Sequence, residues 1–588
     1  MNRLAKIAVP AVVGLCAAMV ALPGSAINRK SDIARNILIF NDVYKRLQTA
    51  YVDTLDPTQT MRTAIDAMLG QIDPYTEFYN QDEQDNLTSV STGEYAGIGS
   101  IIMKRDTSVV LSQPRWDSPA RKAGIRHGDV LLAIDGEALD RNSTTSEASK
   151  RLKGRPGSKV TLKVRRPYTP AGHDSVLTFT ITRGTIEIDP IPYFEMLDGG
   201  IGFVSVSTFS DKTGPEFQEV LAKLRKANGG ELKGLIVDMR GNGGGLLMAA
   251  TDLVSNFVPR GTEVVTTRGR DKTQTRTYKT TRNPSLPDLP LVVLTDGNTA
   301  SAAEIFSGAL QDLDRAVIVG ERSFGKGLVQ TPGPLPYNTM MKITTGRYYL
   351  PSGRLIQAVD YRHRNADGSG SRIPDSLTTA YTTAHGREVR DGGGITPDVN
   401  ITLPESSLLE YKIITDMFAY DFANKVANRT AAAPDPETWV LSDSLFNEFK
   451  TFVDPEKLKY DSPVTSALDY LRKVAKAEGF TTDSVTSAID RIGVMMHREL
   501  NKEMDFRKES IMDIIDSELS QRWFSDGDII KRSLENDPVV NEAIAVLSDP
   551  RRYGVLLSPG MKVGKAPENN ANAGAGKNAT AQADNSKK

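Results

Sequence analysis

Apolar residues follow a helical rhythm at the start of the chain, short β-like runs in the middle and a helical rhythm again towards the end. Over 28–86, Ile37, Ile39, Phe40, Val43 and Leu47, then Met61, Ile65, Met68 and Leu69, recur at roughly three-to-four spacing, which predicts a small helical cap. Over 93–183 short β-rich runs (98–102, 109–111, 130–134, 160–164 and 177–181) are separated by Gly, Pro and Asp, the pattern of a compact, mainly β module. Over 201–399 the two rhythms alternate, with strands expected at 201–206, 234–239, 291–295 and 316–319 and helices at 215–226, 246–257 and 302–313. Such alternation predicts stacked β-α units and an α/β core. Helical patterns return at 408–426, 445–452, 464–477 and 484–504, a region whose job the pattern does not reveal. The divisions expected are a leader (1–26), a helical cap (28–92), a β module (93–184), an α/β core (185–402), a helical region (403–564) and a tail (565–588). That tail holds no large apolar residue and is expected to be disordered.

Composition narrows the class. At 588 residues the chain exceeds what one growing core sustains, and its 39% hydrophobic and 25% charged residues suit packed domains. Lys+Arg (72) balance Asp+Glu (73), so no basic field marks nucleic acid as a partner. Arg3 and Lys6, the apolar stretch 7–22 and Gly24-Ser25-Ala26 read as a secretory leader cleaved after Ala26, the apolar run being shorter than the roughly 20 residues of a membrane span. Export, most simply to the periplasm, is expected. Cys16 is the one cysteine; it lies in the leader and follows Leu15 rather than the Gly or Ala of a lipoprotein signal. The mature chain is then without disulfides or a thiol nucleophile.

Three segments carry candidate chemistry. In 291–306 a buried-strand run ends at Asp296-Gly297-Asn298, and Ile305, Phe306, Ala309, Leu310 and Leu313 then take helical spacing, which puts Ser301 at a strand-to-helix turn. There a hydroxyl is exposed beside the positive end of a helix dipole, although an N-cap serine would stand at the same place. A serine needs a base, and none of His127, His173, His363, His385 and His497 has a fitting context. Lysine can serve when burial disfavours its charged form, and Lys326, flanked by Gly325 and Gly327 just after the strand at 316–319, is the candidate, with Gln330 four residues on able to face it. The third segment, Asp238-Met-Arg-Gly-Asn-Gly-Gly-Gly-Leu-Leu247, leads a strand through three glycines into a helix and leaves backbone N–H groups to hold an oxyanion. No Gly-Lys-Ser/Thr follows, so it is not a phosphate-binding P-loop. Gly244 and Ala302 N–H are the donors expected. Consecutive β-α units place their strand ends on one side of a sheet, where the three segments can meet.

Over roughly 39–399 these residues resemble the carboxyl-terminal processing peptidases, PDZ-containing serine proteases of family S41. The likeness rests on the glycine segment, on Thr299-Ala-Ser-Ala-Ala-Glu304, on Gly320-Glu-Arg-Ser-Phe-Gly-Lys-Gly327 with Gln330, on Thr344-Thr-Gly-Arg-Tyr-Tyr-Leu-Pro-Ser-Gly-Arg354 with Ile356-Gln357, and on Gly392-Gly-Gly-Ile-Thr-Pro-Asp398. It implies a crotonase/ClpP-like β-α superhelix, Ser301 as nucleophile, Lys326 as general base, Gln330 as its positioner, Gly244 and Ala302 as oxyanion donors, and no cofactor or metal. Gly243 stands where relatives often have Pro. The β module likewise resembles a PDZ domain, with Tyr95-Ala-Gly97-Ile98-Gly99 as its carboxylate-binding loop and Gly128-Asp-Val-Leu-Leu-Ala-Ile-Asp-Gly136 in its centre. A PDZ groove adds a peptide as a strand and captures its terminal carboxylate.

The partners this implies are proteins or peptides with an accessible C-terminus, with an adaptor protein and homo-oligomer contacts through the terminal helices by analogy with relatives. Two other readings share part of the pattern. A crotonase-type acyl-CoA enzyme would have the sheet and glycine hole but no use for export, a PDZ unit or Lys326; an inactive PDZ scaffold would have no use for the Ser301, Lys326 and Gln330 set.

Overall fold

The computed structural model describes residues 24–83, 92–169, 173–365, 368–402, 404, 406–458, 460 and 462–558. Most of the expected leader and all of the expected tail lie outside them. The described chain divides into two units: 24–81 with 330–344 and 361–370, and the remainder.

The first unit holds the helices Gly24–Ala50 and Pro57–Gly70, within the stretch that carries the helical rhythm. Asp56 starts the second of them by accepting the Gln59 N–H at 2.7 Å, with Pro57 supplying a helix-ready φ at the first position. The apolar stripe that predicts the first helix stays in solvent, with Ile37 63%, Phe40 50% and Val43 52% exposed. The strand Glu77–Tyr79 pairs antiparallel with 340–342.

The second unit is built around a six-stranded sheet in the order Tyr193–Leu197, Ile201–Ser205, Gly234–Asp238, Leu291–Thr295, Val317–Gly320, Val399–Asn400. The first pair is antiparallel and the rest are parallel. Gly234–Asp238 and Leu291–Thr295 are buried at every position, as parallel strands covered on both faces must be. Alternation along them assigns the faces. Leu235, Val237, Leu291, Val293 and Ile318 pack with the helices Thr213–Ala227, Leu247–Val254 and Ala302–Asp312. Ile236, Val292, Leu294, Val317 and Val319 pack against Leu534, Val539, Val540, Ala543, Val546 and Leu547 of the helices Asp526–Leu534 and Pro538–Ser548. The C-terminal helical region is therefore the second cover of the sheet, a role its own periodicity did not disclose.

The same region has a core of its own, centred on Phe422, Phe446, Phe449, Ile511, Ile515 and Leu519. The helix expected over 408–426 is two, Leu408–Thr415 and Phe418–Arg429, broken where Met417 takes a φ of 63°. The β module carries a separate core around Leu111, Ile134, Val160, Leu162 and Val164. Its main sheet leaves Ser100–Arg105 at one edge, the position at which an added strand can pair. The module is tied to Phe418–Arg429 by Arg105 against both oxygens of Asp421, each at 2.6 Å, and by Tyr420 donating to the Ser112 carbonyl at 3.0 Å.

Candidate active site

Strand register brings the three chemical segments to one edge. Asp238 lies level with Leu294, and Thr295 with Gly320, so the chain leaves the sheet into 239–245, 296–301 and 321–326 side by side. Backbone hydrogen bonds then knit these segments: Ala300 N–H to the Asn242 carbonyl at 2.9 Å, and Phe324 N–H to the Thr299 carbonyl at 3.0 Å. The buried Thr299 hydroxyl bonds the Met239 carbonyl at 2.9 Å.

Ser301 precedes the helix Ala302–Asp312 with φ 57° and ψ −115°. An ordinary N-cap is extended, so this backbone is held in a sparsely populated conformation, of the kind that lifts a serine out of a strand-to-helix turn. The Ser301 main chain is anchored on both sides. Its N–H donates to Glu304 Oε2 at 2.8 Å, and its carbonyl accepts from the buried Tyr348 hydroxyl at 3.2 Å.

Lys326 reaches the same anchors. Its N–H donates to Glu304 Oε2 at 2.8 Å and its carbonyl accepts from the Tyr348 hydroxyl. Gly325 beside it donates to Glu304 Oε1 at 2.7 Å, and its φ of 88° with Ala358 close by leaves no room for a side chain: an added Cβ would stand 2.3 Å from that of Ala358. Ser323 Oγ donates to the same Oε1 at 2.5 Å. The residues expected as nucleophile and base thus sit on two loops that share one carboxylate and one phenol. Full burial pushes that Glu304 carboxyl up to about 7, against the lowering pull of its four donors.

Gly244 lies against Ser301: a Cβ placed on it would be 2.8 Å from Ser301 Cβ and 2.9 Å from the Ala302 nitrogen. Ala302 opens its helix, where the first N–H groups have no intrahelical acceptor. The expectation of a bare Gly244 N–H needs correction, because it donates to Asn242 Oδ1 at 2.8 Å. An Asn side chain two residues back claims the amide before a substrate can. The Gly244 carbonyl accepts from Phe209 N–H at 3.0 Å and Thr208 Oγ1 at 3.2 Å, so the Gly245 N–H of the same trans peptide points the opposite way. That N–H donates to no other described residue.

Gln330 belongs to the first unit, in the strand Leu328–Leu335, where its Nε2 donates to Thr344 Oγ1 at 3.3 Å. In the β module, Gly97-Ile98-Gly99 bridges the strands Glu94–Gly97 and Ser100–Arg105. The Ile98 carbonyl accepts from Ala120 and that of Gly99 from Arg115, both at 2.9 Å, while the N–H groups of Ile98 and Gly99 donate to no other described residue.

His385 is not placed as a relay base. Ser558 Oγ and Asp314 Oδ2 both face His385 at the same Nδ1, at 3.2 and 3.6 Å, whereas a relay needs the two ring nitrogens separately. Sequence reading missed Glu304, Tyr348 and Asn242 as parts of the site. The signal for Glu304 was present: Ser301 and Glu304 have the spacing of a capping box.

Residues 200–363 match peptidase family S41, 110–166 match a PDZ domain, and 409–547 match the C-terminal helical domain of probable PDZ-proteases. The chain is 33% identical over 333 residues to the carboxy-terminal-processing protease of Bartonella bacilliformis, covering 56% of this chain and 75% of that one. It is 26% identical over 435 residues to carboxy-terminal processing protease CtpA of Bacillus subtilis, covering 74% and 90%. A solved photosystem II D1 C-terminal processing protease is 27% identical, covering 62% of this chain and 92% of that one with a TM-score of 0.34.

Proposed function

We propose that this chain, which belongs to peptidase family S41 and is a PDZ-containing serine protease of the carboxy-terminal processing kind, is an exported endopeptidase that cuts proteins with a Ser301/Lys326 dyad and selects them by their C-terminal tails. The reading is carried by the shared anchoring of Ser301 and Lys326 on Glu304.

An uncharged Lys326 amine accepts the Ser301 Oγ proton as that oxygen attacks the scissile carbonyl carbon. The carbonyl oxygen, now an oxyanion, is met by the Ala302 N–H and by the glycine loop, where the Gly245 N–H, like that of Gly243, donates to no other described residue. On collapse the C–N bond breaks, and the departing amine takes the proton from the Lys326 ammonium. Water then hydrolyses the Ser301 ester with Lys326 again as base. Substrate tails add to the free edge of Ser100–Arg105, with the carboxylate on the Ile98 and Gly99 N–H groups. Export, and with it a periplasmic location, is supported by Arg3, Lys6 and the apolar stretch that follows them.

The test is cleavage of an unstructured protein with an apolar C-terminus. Ser301→Ala and Lys326→Ala should each abolish it. Wild-type turnover in both variants would end the dyad assignment.

A further inference from the structure

We infer that Glu304 is a positioning residue whose carboxylate sets Ser301 against Lys326, so that the two loops hold catalytic register only while it is ionised. This rests on the dyad reading above and adds to it a residue that does not touch substrate.

The argument begins with donors. Glu304 is completely buried, and its two oxygens receive four hydrogens: Ser301 N–H and Lys326 N–H on Oε2, Gly325 N–H and the Ser323 hydroxyl on Oε1. Ser323 Oγ also accepts from Ile395 N–H at 2.6 Å. All four of these neighbours donate. On Oε2 a hydrogen, from protonation or from an amide, would face the Ser301 and Lys326 N–H groups, and one of the two loops would have to give way; on Oε1 it could be taken only by the Ser323 hydroxyl, whose own proton would then lose this acceptor. The cage is thus shaped for an anion.

Burial works in the other direction. It pushes the carboxyl up to about 7, so that protonation of this group falls within the range of an ordinary assay. Loss of the proton should then bring the site into register, and turnover should climb through a limb near neutrality. The other titratable groups on the elements packed around Glu304 are Glu321, Arg322 and Lys326 on the 321–326 loop, Tyr348 on the strand Thr339–Tyr349, Asp296 before the turn, and Asp312 on its own helix. Of these, Lys326 acts on the same side of the profile, because the base too must lose its proton, so the rising limb carries two ionisations.

The experiment is a pH profile of kcat and KM for the full-length protein on an unstructured labelled casein. Labelling of Ser301 by a fluorophosphonate gives a second readout. Glu304→Gln should lower kcat about 100-fold, the cost of a small misplacement of reacting groups, with KM within about twofold. It should also leave the lower limb with one ionisation where wild type has two, and Glu304→Asp should restore part of kcat. Ser323→Ala, which removes one donor and spares the rest, should move the lower limb to higher pH. The inference is overturned if Glu304→Gln leaves the steepness of that limb unchanged and Ser323→Ala leaves its position unchanged while Ser301→Ala is inactive. It is also overturned if Glu304→Gln loses turnover only in proportion to loss of folded protein. Retention of turnover by Ser301→Ala would instead remove the dyad reading on which it rests.

Discussion

Tyr348 and Ser301 are joined by a hydrogen bond from the phenol of the first to the main-chain carbonyl of the second, 3.2 Å long, and the same phenol reaches the carbonyl of Lys326. Tyr348 is 1% exposed. Its hydroxyl is thus a second strut between the two loops, beside the Glu304 carboxylate that receives their N–H groups.

Tyr348→Phe keeps the ring and deletes the strut, taking one donor from each of two carbonyls, of which that of Ser301 keeps the Ile305 N–H at 2.9 Å. A lost buried hydrogen bond of this sort is worth roughly 1–2 kcal/mol, which places the expected fall in kcat near tenfold. KM should be little changed, because the ring still fills its site. Steady-state kinetics on the unfolded-protein substrate decide it; an unchanged kcat would show the phenol to be packing only.

How much of this was legible in the sequence depends on whether the signal was local. The strand at 291–295 and the helix beginning at Ala302 were read within a residue, because a fully apolar run and a helical rhythm each declare themselves over a short span. The meeting of Ser301 and Lys326 was legible only as a consequence of β-α order. The contacts that enforce it were not, since Tyr348 comes to both residues from a distant strand and nothing in its neighbourhood marks the hydroxyl. The glycine register failed for a local reason: Asn242 was read as part of a motif rather than as a side chain that bonds its own backbone two residues on. The sheet-covering role of 526–548 was hidden because an apolar helix face does not name its partner.

The glycine loop gives a sharper mutational test. Gly244 has a φ of 104°, and a methyl there would press on Ser301 Cβ at 2.8 Å, the Ala300 carbonyl at 2.9 Å and the Ala302 nitrogen at 2.9 Å. None of these is the end of a flexible side chain. Gly244→Ala should therefore displace the Ser301 turn and cost at least about 100-fold in kcat, the scale set by one lost oxyanion donor. Fluorophosphonate labelling should fall in parallel, whereas a variant that labels and turns over normally would move the oxyanion site away from this loop.

Glu304 also leaves a mark on stability. A carboxyl that ionises at 4.5 when unfolded but near 7 when folded holds its proton more tightly in the native state. The cost of ionising it is absent below pH 4.5, grows between 4.5 and about 7, and is constant above. The interval amounts to roughly 3 kcal/mol. Relative to Glu304→Gln, wild type should lose thermal stability as the pH rises from 4.5 to 7.5. Parallel Tm curves for the two proteins would show that the group does not titrate in this range.

Asp537 couples the C-terminal helices to the glycine loop. It caps Pro538–Ser548 by accepting Val539 N–H at 2.8 Å and Val540 N–H at 3.2 Å, and its other oxygen meets Arg240 Nη1 at 2.6 Å. Asp537→Ala should cost about 1 kcal/mol for the cap, seen as a lower Tm, and should also reduce kcat through Arg240, which would be held by Asp238 alone. Asp537→Asn retains a capping oxygen and should recover most of the Tm but less of the kcat. Equal recovery of both would mean that Arg240 does not transmit to the loop.

Substrate choice can be tested without altering the fold. If the Ile98 and Gly99 amides take a terminal carboxylate, a peptide with an apolar free C-terminus should compete for the protein substrate, and the same peptide amidated at its end should not, because the amide carries no charge for the loop to hold. Neither peptide should slow hydrolysis of a small activated ester, which needs only Ser301 and its neighbours. Competition by both forms alike would place recognition in the apolar side chains or in the cleavage groove, and inhibition of the ester reaction would mean that the peptide reaches the serine itself.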